Sequence, residues 1–197
     1  MRQETGKSNS TQTTKKVSIQ VKLGGRSFSA SNIVADNADV VEFVIDTPRV
    51  TLAPREAITL DNASSFLTLC GKACHINEQS VCSELQSDIV AIMAIDSEAL
   101  ASIVEKWGSR ASFSSPLLDM RHSEESCLTI DASEKVCYMR LFNNSLQRAE
   151  ANVATTAEDI LYLVTEWLGG NDTPIYIKGS SAAAKLLRKY FKRVVCE

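Results

Sequence analysis

Long apolar runs are missing from this chain. Nowhere do about eighteen uninterrupted apolar residues occur, the minimum for a spanning helix, so no helical membrane protein is expected and the protein is placed in the cytoplasm. Residues 1–16 are rich in Ser, Thr, Gln and Lys without an apolar core, which reads as a flexible tail rather than a signal peptide or anchor. An excess of basic charge is missing as well. A formal net charge of -3 and a pI near 5.5 offer phosphate backbones no general field, so nucleic acid is not an expected partner. Histidine is scarce: His75 and His122 both lie in polar, loop-like contexts outside any nucleophile or metalloprotease motif, and both read as solvated surface residues.

The Cys-x-x-Cys pair of strong zinc motifs is also absent. Six cysteines, Cys70, Cys74, Cys82, Cys127, Cys137 and Cys196, are spread through helix-like and strand-like segments, which suits reduced thiols in a cytoplasmic protein better than a secreted disulfide scaffold. Buried free thiols are the expectation. A sharper reading groups Cys70, Cys74, His75 and Cys82 as metal ligands, since Cys70 and Cys74 would share a helical face; without the paired knuckle, no metal is expected.

What is present is the balance of an ordinary folded protein: 197 residues, 44% hydrophobic and 23% charged, enough for one substantial core or two small ones. Val17, Ile19, Val21 and Leu23 alternate with polar residues, the period of a half-buried strand. Gly24-Gly25 then supplies a tight turn and Arg26 to Ala30 a returning strand, so the pair reads as a hairpin. Val40 to Ile45 reads as a third strand. Pro48 and Pro54 flank a short edge strand or extended insert, because proline cannot donate to a sheet ladder. A helix capped at Asp61 or Asn62 is expected from Ala63 to about Cys74, burying Phe66, Leu67, Leu69 and Cys70. Ile89 to Ile95 is apolar without alternation, as in a central strand covered on both faces of a mixed or parallel sheet. A helix capped by Asp96 follows, with Leu100, Ile103, Val104 and Trp107 at helical spacing until Gly108. Residues 109–125, with five serines and Pro116, read as an inter-lobe linker.

The second half repeats the order. Cys127 to Ile130, a turn at Asp131 to Glu134, a strand from Lys135 to Phe142, a turn at Asn143-Asn144-Ser145 and a strand through Val153 form a meander, since Asn tolerates the left-handed backbone of a hairpin. Thr155 and Glu158 have capping-box spacing for a helix over Thr156 to Leu168, whose stripe includes Ile160, Leu161, Leu163, Val164, Trp167 and Leu168. Gly169-Gly170 ends it. Pro174 to Lys178 reads as a strand, Gly179-Ser180-Ser181 turns into a helix carrying Ala183, Leu186, Leu187 and Tyr190, and Val194 to Cys196 closes the sheet. Strand, crossover helix, strand implies parallel pairing. Lys185, Arg188, Lys189, Lys192 and Arg193 give this last helix a basic end, which complements the helix dipole or meets an acidic partner.

Both halves thus run hairpin, third strand, helix, strand, helix, and the chain resembles the duplicated ribonuclease-H-like unit of the actin-like ATPase superfamily. More closely, it is similar to an uncharacterised Bacteroidetes domain family with an actin-like fold. The residues that carry the likeness are Val17 to Val21, Arg26 to Ser29, Val50 to Pro54, Leu141 to Asn144, Glu158 to Tyr162, Ile177 to Gly179 and Leu187 to Tyr190. The resemblance implies an α/β fold with mixed sheets in two lobes, residues 17–115 and 116–197. It also implies a phosphate site in the first hairpin of each lobe, where an Asp stands beside glycines, and an adenosine site at a Gly-Gly turn. This sequence departs from that pattern. Gly24-Gly25 has no acidic residue beside it, Asp131 is followed by Ala132-Ser133-Glu134 rather than glycine, and only Gly179 remains of the adenosine turn. Glu134 adds a negative charge where phosphates would lie. The expected function is therefore a non-catalytic actin-like scaffold without cofactor, binding an unspecified protein. The alternative is a weak or vestigial ATPase that binds ATP with magnesium between the lobes at Gly24, Gly25, Asp131, Ser133 and Gly179.

Overall fold

The computed structural model describes residues 15–22, 37–85, 87–118, 126–170 and 172–197. The Gly24-Gly25 turn, the strand expected at Arg26 to Ala30, and His122 lie outside the described residues. Three sheets organise the rest. The C-terminal sheet has the order β11-β10-β7-β8-β9, built from β7 (Cys127–Ala132), β8 (Val136–Phe142), β9 (Leu146–Val153), β10 (Ile175–Lys178) and β11 (Val194–Cys196). The meander β7, β8, β9 is antiparallel, and β10 joins β7 and β11 in parallel. Asn144 takes the left-handed conformation (φ 61) in the β8–β9 turn, as its short polar side chain allows.

Two helices cover one face of this sheet. α3 (Ala157–Leu168) begins one residue later than expected. Thr156 accepts the Asp159 N–H, and the Asp159 carboxylate accepts the Thr156 and Thr155 N–H groups, so the capping box uses Thr156 and Asp159 rather than Thr155 and Glu158. Those bonds hold the exposed Asp159 carboxyl below its usual pKa. Ile160, Val164 and Leu168 face the core, as the stripe demands, and burying each contributes roughly 1.5–3 kcal/mol. Trp167 is only half-buried: it lies at the margin of the stripe, with the Arg148 guanidinium 4.2 Å from its ring centroid. α4 (Ser181–Leu187) is capped by the Ser180 hydroxyl on the Ala183 N–H and buries Ala183, Ala184 and Leu187, while Tyr190, beyond its end, is exposed.

The first half is not a simple copy of the second. β1 (Lys16–Lys22) pairs in parallel with β2 (Val40–Asp46), and β2 in parallel with β6 (Ala111–Ser114). The expected antiparallel start is therefore not made by these two strands; residues 23–39 are long enough for the crossover that a parallel pair requires. The order β1-β2-β6 repeats the neighbours and direction of β7-β10-β11. Between β2 and β6 the chain inserts a separate antiparallel sheet, β3-β5-β4, from β3 (Val50–Pro54), β4 (Glu78–Cys82) and β5 (Ile89–Asp96). β5 is central and covered on both faces as its apolar run requires, but both of its partners are antiparallel, and β4 is joined to it by a short connection as in a hairpin. Pro54 sits on the edge strand β3, where its missing N–H costs no ladder bond.

α1 (Ala63–Leu69) is shorter than expected and buries Ala63 and Leu67, whereas Leu69 and Cys70 are exposed. Gly71 follows in the left-handed region and ends the helical path before Cys74. α2 (Ser97–Trp107) starts where the Asp96 carboxylate accepts the Glu98 and Ala99 N–H groups; it buries Ile103 and Trp107 and leaves Val104 exposed. Within the segment expected to be a linker, residues 109–118 contribute β6 and the fully buried Leu117, since Ala111, Phe113 and Leu117 are apolar enough to pack, and residues 119–125 lie outside the described residues.

Three apolar clusters result. One lies beneath α3 and α4, and a small one lies between α1 and the inserted sheet. The largest joins Val21, Val41, Phe43, Ile45, Met93, Ile95 and Trp107 to Val136, Tyr138 and Ala151, so the far face of the C-terminal sheet belongs to the core of the first half. Polar ties reinforce this junction. The buried Arg140 donates to Thr129 Oγ1 (2.9 Å) and the Pro116 carbonyl. Lys72 donates to the Ala151 carbonyl (2.6 Å), and its burial lowers its pKa.

Candidate functional site

Parallel strands present their carboxyl ends together, and in open α/β sheets that is where ligands enter. Here the carboxyl ends of β1, β2, β7 and β10 supply Lys22, Asp46, Asp131 (next to last in its strand) and Lys178 around the β7–β8 turn. Each follows an apolar strand, which fixes its position. Ser133 and Val136 close the turn, with Ser133 N–H donating to the Val136 carbonyl (2.8 Å) and Val136 N–H to Ser133 Oγ (3.2 Å).

The charges at this end are paired with one another. Lys178 Nζ lies 2.6 Å from Asp131 Oδ2, both half-shielded, and Lys22 Nζ lies 3.3 Å from Glu134 Oε2 in solvent. Asp46, only 7% exposed, accepts the Tyr138 hydroxyl (2.8 Å) and the Ser133 hydroxyl (3.0 Å) on one oxygen. Tyr138 in turn accepts the Thr47 N–H (2.8 Å). Burial, with the Asp46 charge and hydrogen bond added, pushes the Tyr138 phenol far up, so it stays a neutral donor. Removing that hydroxyl would leave buried donors and acceptors unmatched, at about 1–3 kcal/mol.

Gly179 has φ +84, and a Cβ built on it would stand 1.9 Å from the Ala132 carbonyl oxygen. Only glycine lets the β10–α4 turn approach the end of β7 so closely. Among the expected residues, Asp131, Ser133 and Gly179 are thus gathered at one end of the sheet, whereas Gly24 and Gly25 lie outside the described residues. Lys22, Asp46, Tyr138 and Lys178 were not anticipated. Lys22, Asp46 and Lys178 each stand at the end of an apolar strand run, a signal that was readable; the buried reach of Tyr138 toward Asp46 was not.

The cysteines and histidine considered for a metal site do not assemble. Among the described residues no group of three or more His, Cys, Asp or Glu side chains is arranged to hold a metal ion. Cys70 is exposed, and burial raises the thiol pKa of both Cys74 and Cys82. The His75 N–H donates to Glu78 Oε2 (2.8 Å), and Glu78 is held by both Arg49 Nε (2.8 Å) and Nη2. Of the six cysteines only Cys127 and Cys137 are buried, with the Cys137 thiol pushed up to about 12 by burial and the nearby Asp131 charge.

Comparison places this arrangement in a known fold. The chain is similar to a Bacteroides thetaiotaomicron protein with an actin-like ATPase fold and unknown function: TM-score 0.65, 18% identity, 80% of this chain and 68% of that one covered. It also aligns with the cytoplasmic domain of EpsL, an inner membrane component of the type II secretion system of Vibrio cholerae (TM-score 0.46, 11% identity, 82% and 81% covered). A third alignment is with the AlfA filament bound to AMPPNP (TM-score 0.36, 12% identity, 79% and 52% covered). No protein-family model matches the sequence, and no curated protein does. The likeness to the Bacteroides protein establishes the fold: this is a mixed α/β protein of the actin-like ATPase fold. Among the described residues no helix is long and apolar enough to cross a membrane.

Proposed function

We propose that this chain is a non-catalytic actin-like scaffold that binds another protein in the cytoplasm, related to uncharacterised Bacteroidetes proteins of the same fold. Its lobes are residues 17–115 and 116–197; the flexible tail expected over residues 1–16 lies outside the described residues up to residue 14, and at its end Lys16 instead opens β1. One observation carries the reading: the carboxylates that a magnesium-bound water would need are committed to internal partners, Asp131 to Lys178, Glu134 to Lys22 and Asp46 to Ser133 and Tyr138. Asp131 stands under an ammonium group at 2.6 Å, and a second cation there would repel it. Gly179 is filled by the approach of Ala132 and serves chain packing rather than an open cradle.

A second reading is favoured by the same lysines. Lys22 and Lys178 stand at strand ends facing the turn, where they could meet phosphates if their carboxylates let go, making a weak ATP–magnesium site that also uses Gly24, Gly25, Asp131, Ser133 and Gly179. Titration calorimetry separates the two. The scaffold gives no saturable isotherm with magnesium-ATP in the micromolar range; an isotherm that Asp131→Ala abolishes establishes the nucleotide reading instead.

A further inference from the structure

The partner's chemistry is written on the far edge of the C-terminal sheet. Residues 172–197 hold six basic and two acidic residues, a net of +4, while the whole chain carries -3. Charge is therefore segregated, and it is concentrated beside β11, the outermost described strand. Lys185, Arg188 and Lys189 are spaced three and four residues apart, which puts them on one side of the α4 path, and all three are exposed. Lys192 and Arg193 are engaged by Asp172 through its carboxylate (3.5 Å) and its carbonyl (2.6 Å), but among the described residues Lys185 and Lys189 make no ion pair. The dipole of the seven-residue α4 does not account for them all, since only Lys185 lies in its last turn.

The backbone of β11 is half used. Ile175 N–H donates to the Arg193 carbonyl (2.8 Å) and Glu197 N–H to the Ile177 carbonyl (2.9 Å), which turns residues 193, 195 and 197 toward β10. In a parallel ladder the alternate residues, Val194 and Cys196, then present their N–H and C=O groups outward. No described strand lies beyond β11. Arg188 Nε donates to the outward Val194 carbonyl (3.3 Å), which brings its guanidinium onto that edge. Tyr190 (66% exposed) and Val195 (47% exposed) add apolar surface beside it.

We propose that this edge docks an extended acidic segment of a partner protein, which adds to β11 as a further strand while its carboxylates engage Lys185, Arg188 and Lys189. The inference rests on the scaffold reading. Strand addition takes affinity from main-chain bonds and specificity from alternate side chains, and Arg188 sits where an incoming carboxylate can form a charge-assisted bond. Acidic rather than neutral chemistry follows from cations that also discourage casual edge pairing.

The test uses the full chain and a labelled peptide of alternating glutamate and valine, read by fluorescence anisotropy with and without magnesium-ATP. A second peptide of alternating glutamate and proline keeps the charge but lacks every second backbone N–H and holds φ at about -65° at those positions, so it cannot form a regular ladder. The glutamate-valine peptide should bind, the glutamate-proline peptide should bind markedly less, and Lys185→Glu with Lys189→Glu should weaken binding about tenfold. Both lysines are exposed, so circular dichroism should show the double variant folded; Arg188→Gln gives a second, milder loss. No binding of the glutamate-valine peptide, equal binding of both peptides, binding unaltered in the variants, or tighter binding of a labelled single-stranded DNA of equal charge would each overturn the proposal. Failure of the peptide without a magnesium-ATP isotherm removes this surface alone, whereas an isotherm removes the scaffold reading beneath it.

Discussion

At Gly179 one hydrogen atom decides whether two strand ends can meet. Both Gly179 (φ +84) and Gly170 (φ +86) hold left-handed backbone, but only at Gly179 would a Cβ strike a neighbour, the Ala132 carbonyl. Gly170→Ala should therefore cost only about 1–2 kcal/mol of conformational strain, and Gly179→Ala clearly more, because backbone must move as well. Urea denaturation of the two variants checks the order, and equal losses would contradict the close approach. Glu78 makes a pH-dependent contribution. Burial opposes its ionisation, but hydrogen bonds from Arg49 and the His75 N–H, together with the Arg49 and His75 charges, outweigh that and lower its pKa from 4.5. A carboxyl depressed in the folded state stabilises above its unfolded pKa and loses that contribution as pH falls through the folded value. Thermal stability should thus decline below about pH 4.5, and Glu78→Gln should flatten that decline while lowering stability at neutral pH.

At the level of elements, α3 shows how a stripe and a cap divide the work of holding a helix. Ile160 is 4% exposed within the cluster beneath the helix, whereas Trp167 is half-buried under Arg148. Ile160→Ala should cost about 2–5 kcal/mol, Trp167→Ala less than that, and Thr156→Ala about 1 kcal/mol through its cap. Chemical denaturation that ranked Trp167→Ala first would mean the helix is rotated on the sheet. Helical spacing alone had included Trp167 in the buried stripe, because periodicity locates a face to within one residue on either side and cannot show which flank a neighbouring strand covers. β9 brings Arg148 to that flank, and Arg148 is distant in sequence. The same limit explains Val104 and Leu69, apolar residues at good spacing that face solvent because no described element lies over them.

Across the whole molecule, the largest core cluster takes residues from both halves, with Phe43 and Met93 packed in one body with Val136 and Tyr138. The halves should therefore unfold together, since breaking either exposes the other's apolar face. Calorimetry should show one transition, and Phe43→Ala and Val164→Ala should each move all of it. Two resolved transitions would establish independently stable lobes.

Some of this was settled by the chain's local chemistry. Alternation in β1, the unbroken apolar run of β5, Asn144 in its turn, the Asp96 cap and the α3 stripe are imposed by neighbours within a few residues, so each was legible without a partner. The meander and crossovers of the C-terminal sheet followed from those elements and their short connections. Strand direction in the first half did not follow, because β2 and β6 have the same apolar pattern whether parallel or antiparallel, and residues 23–39 permit either. Nor did the site. Asp131 and Gly179 were legible as turn residues, but whether Asp131 is open to a ligand depends on Lys178, 47 positions away in sequence, and whether Gly179 is a cradle depends on Ala132. Sequence determines which groups exist and which local shapes they prefer; pairing between distant strand ends is decided by packing, and here packing brings cations to the carboxylates and the Ala132 carbonyl to the glycine.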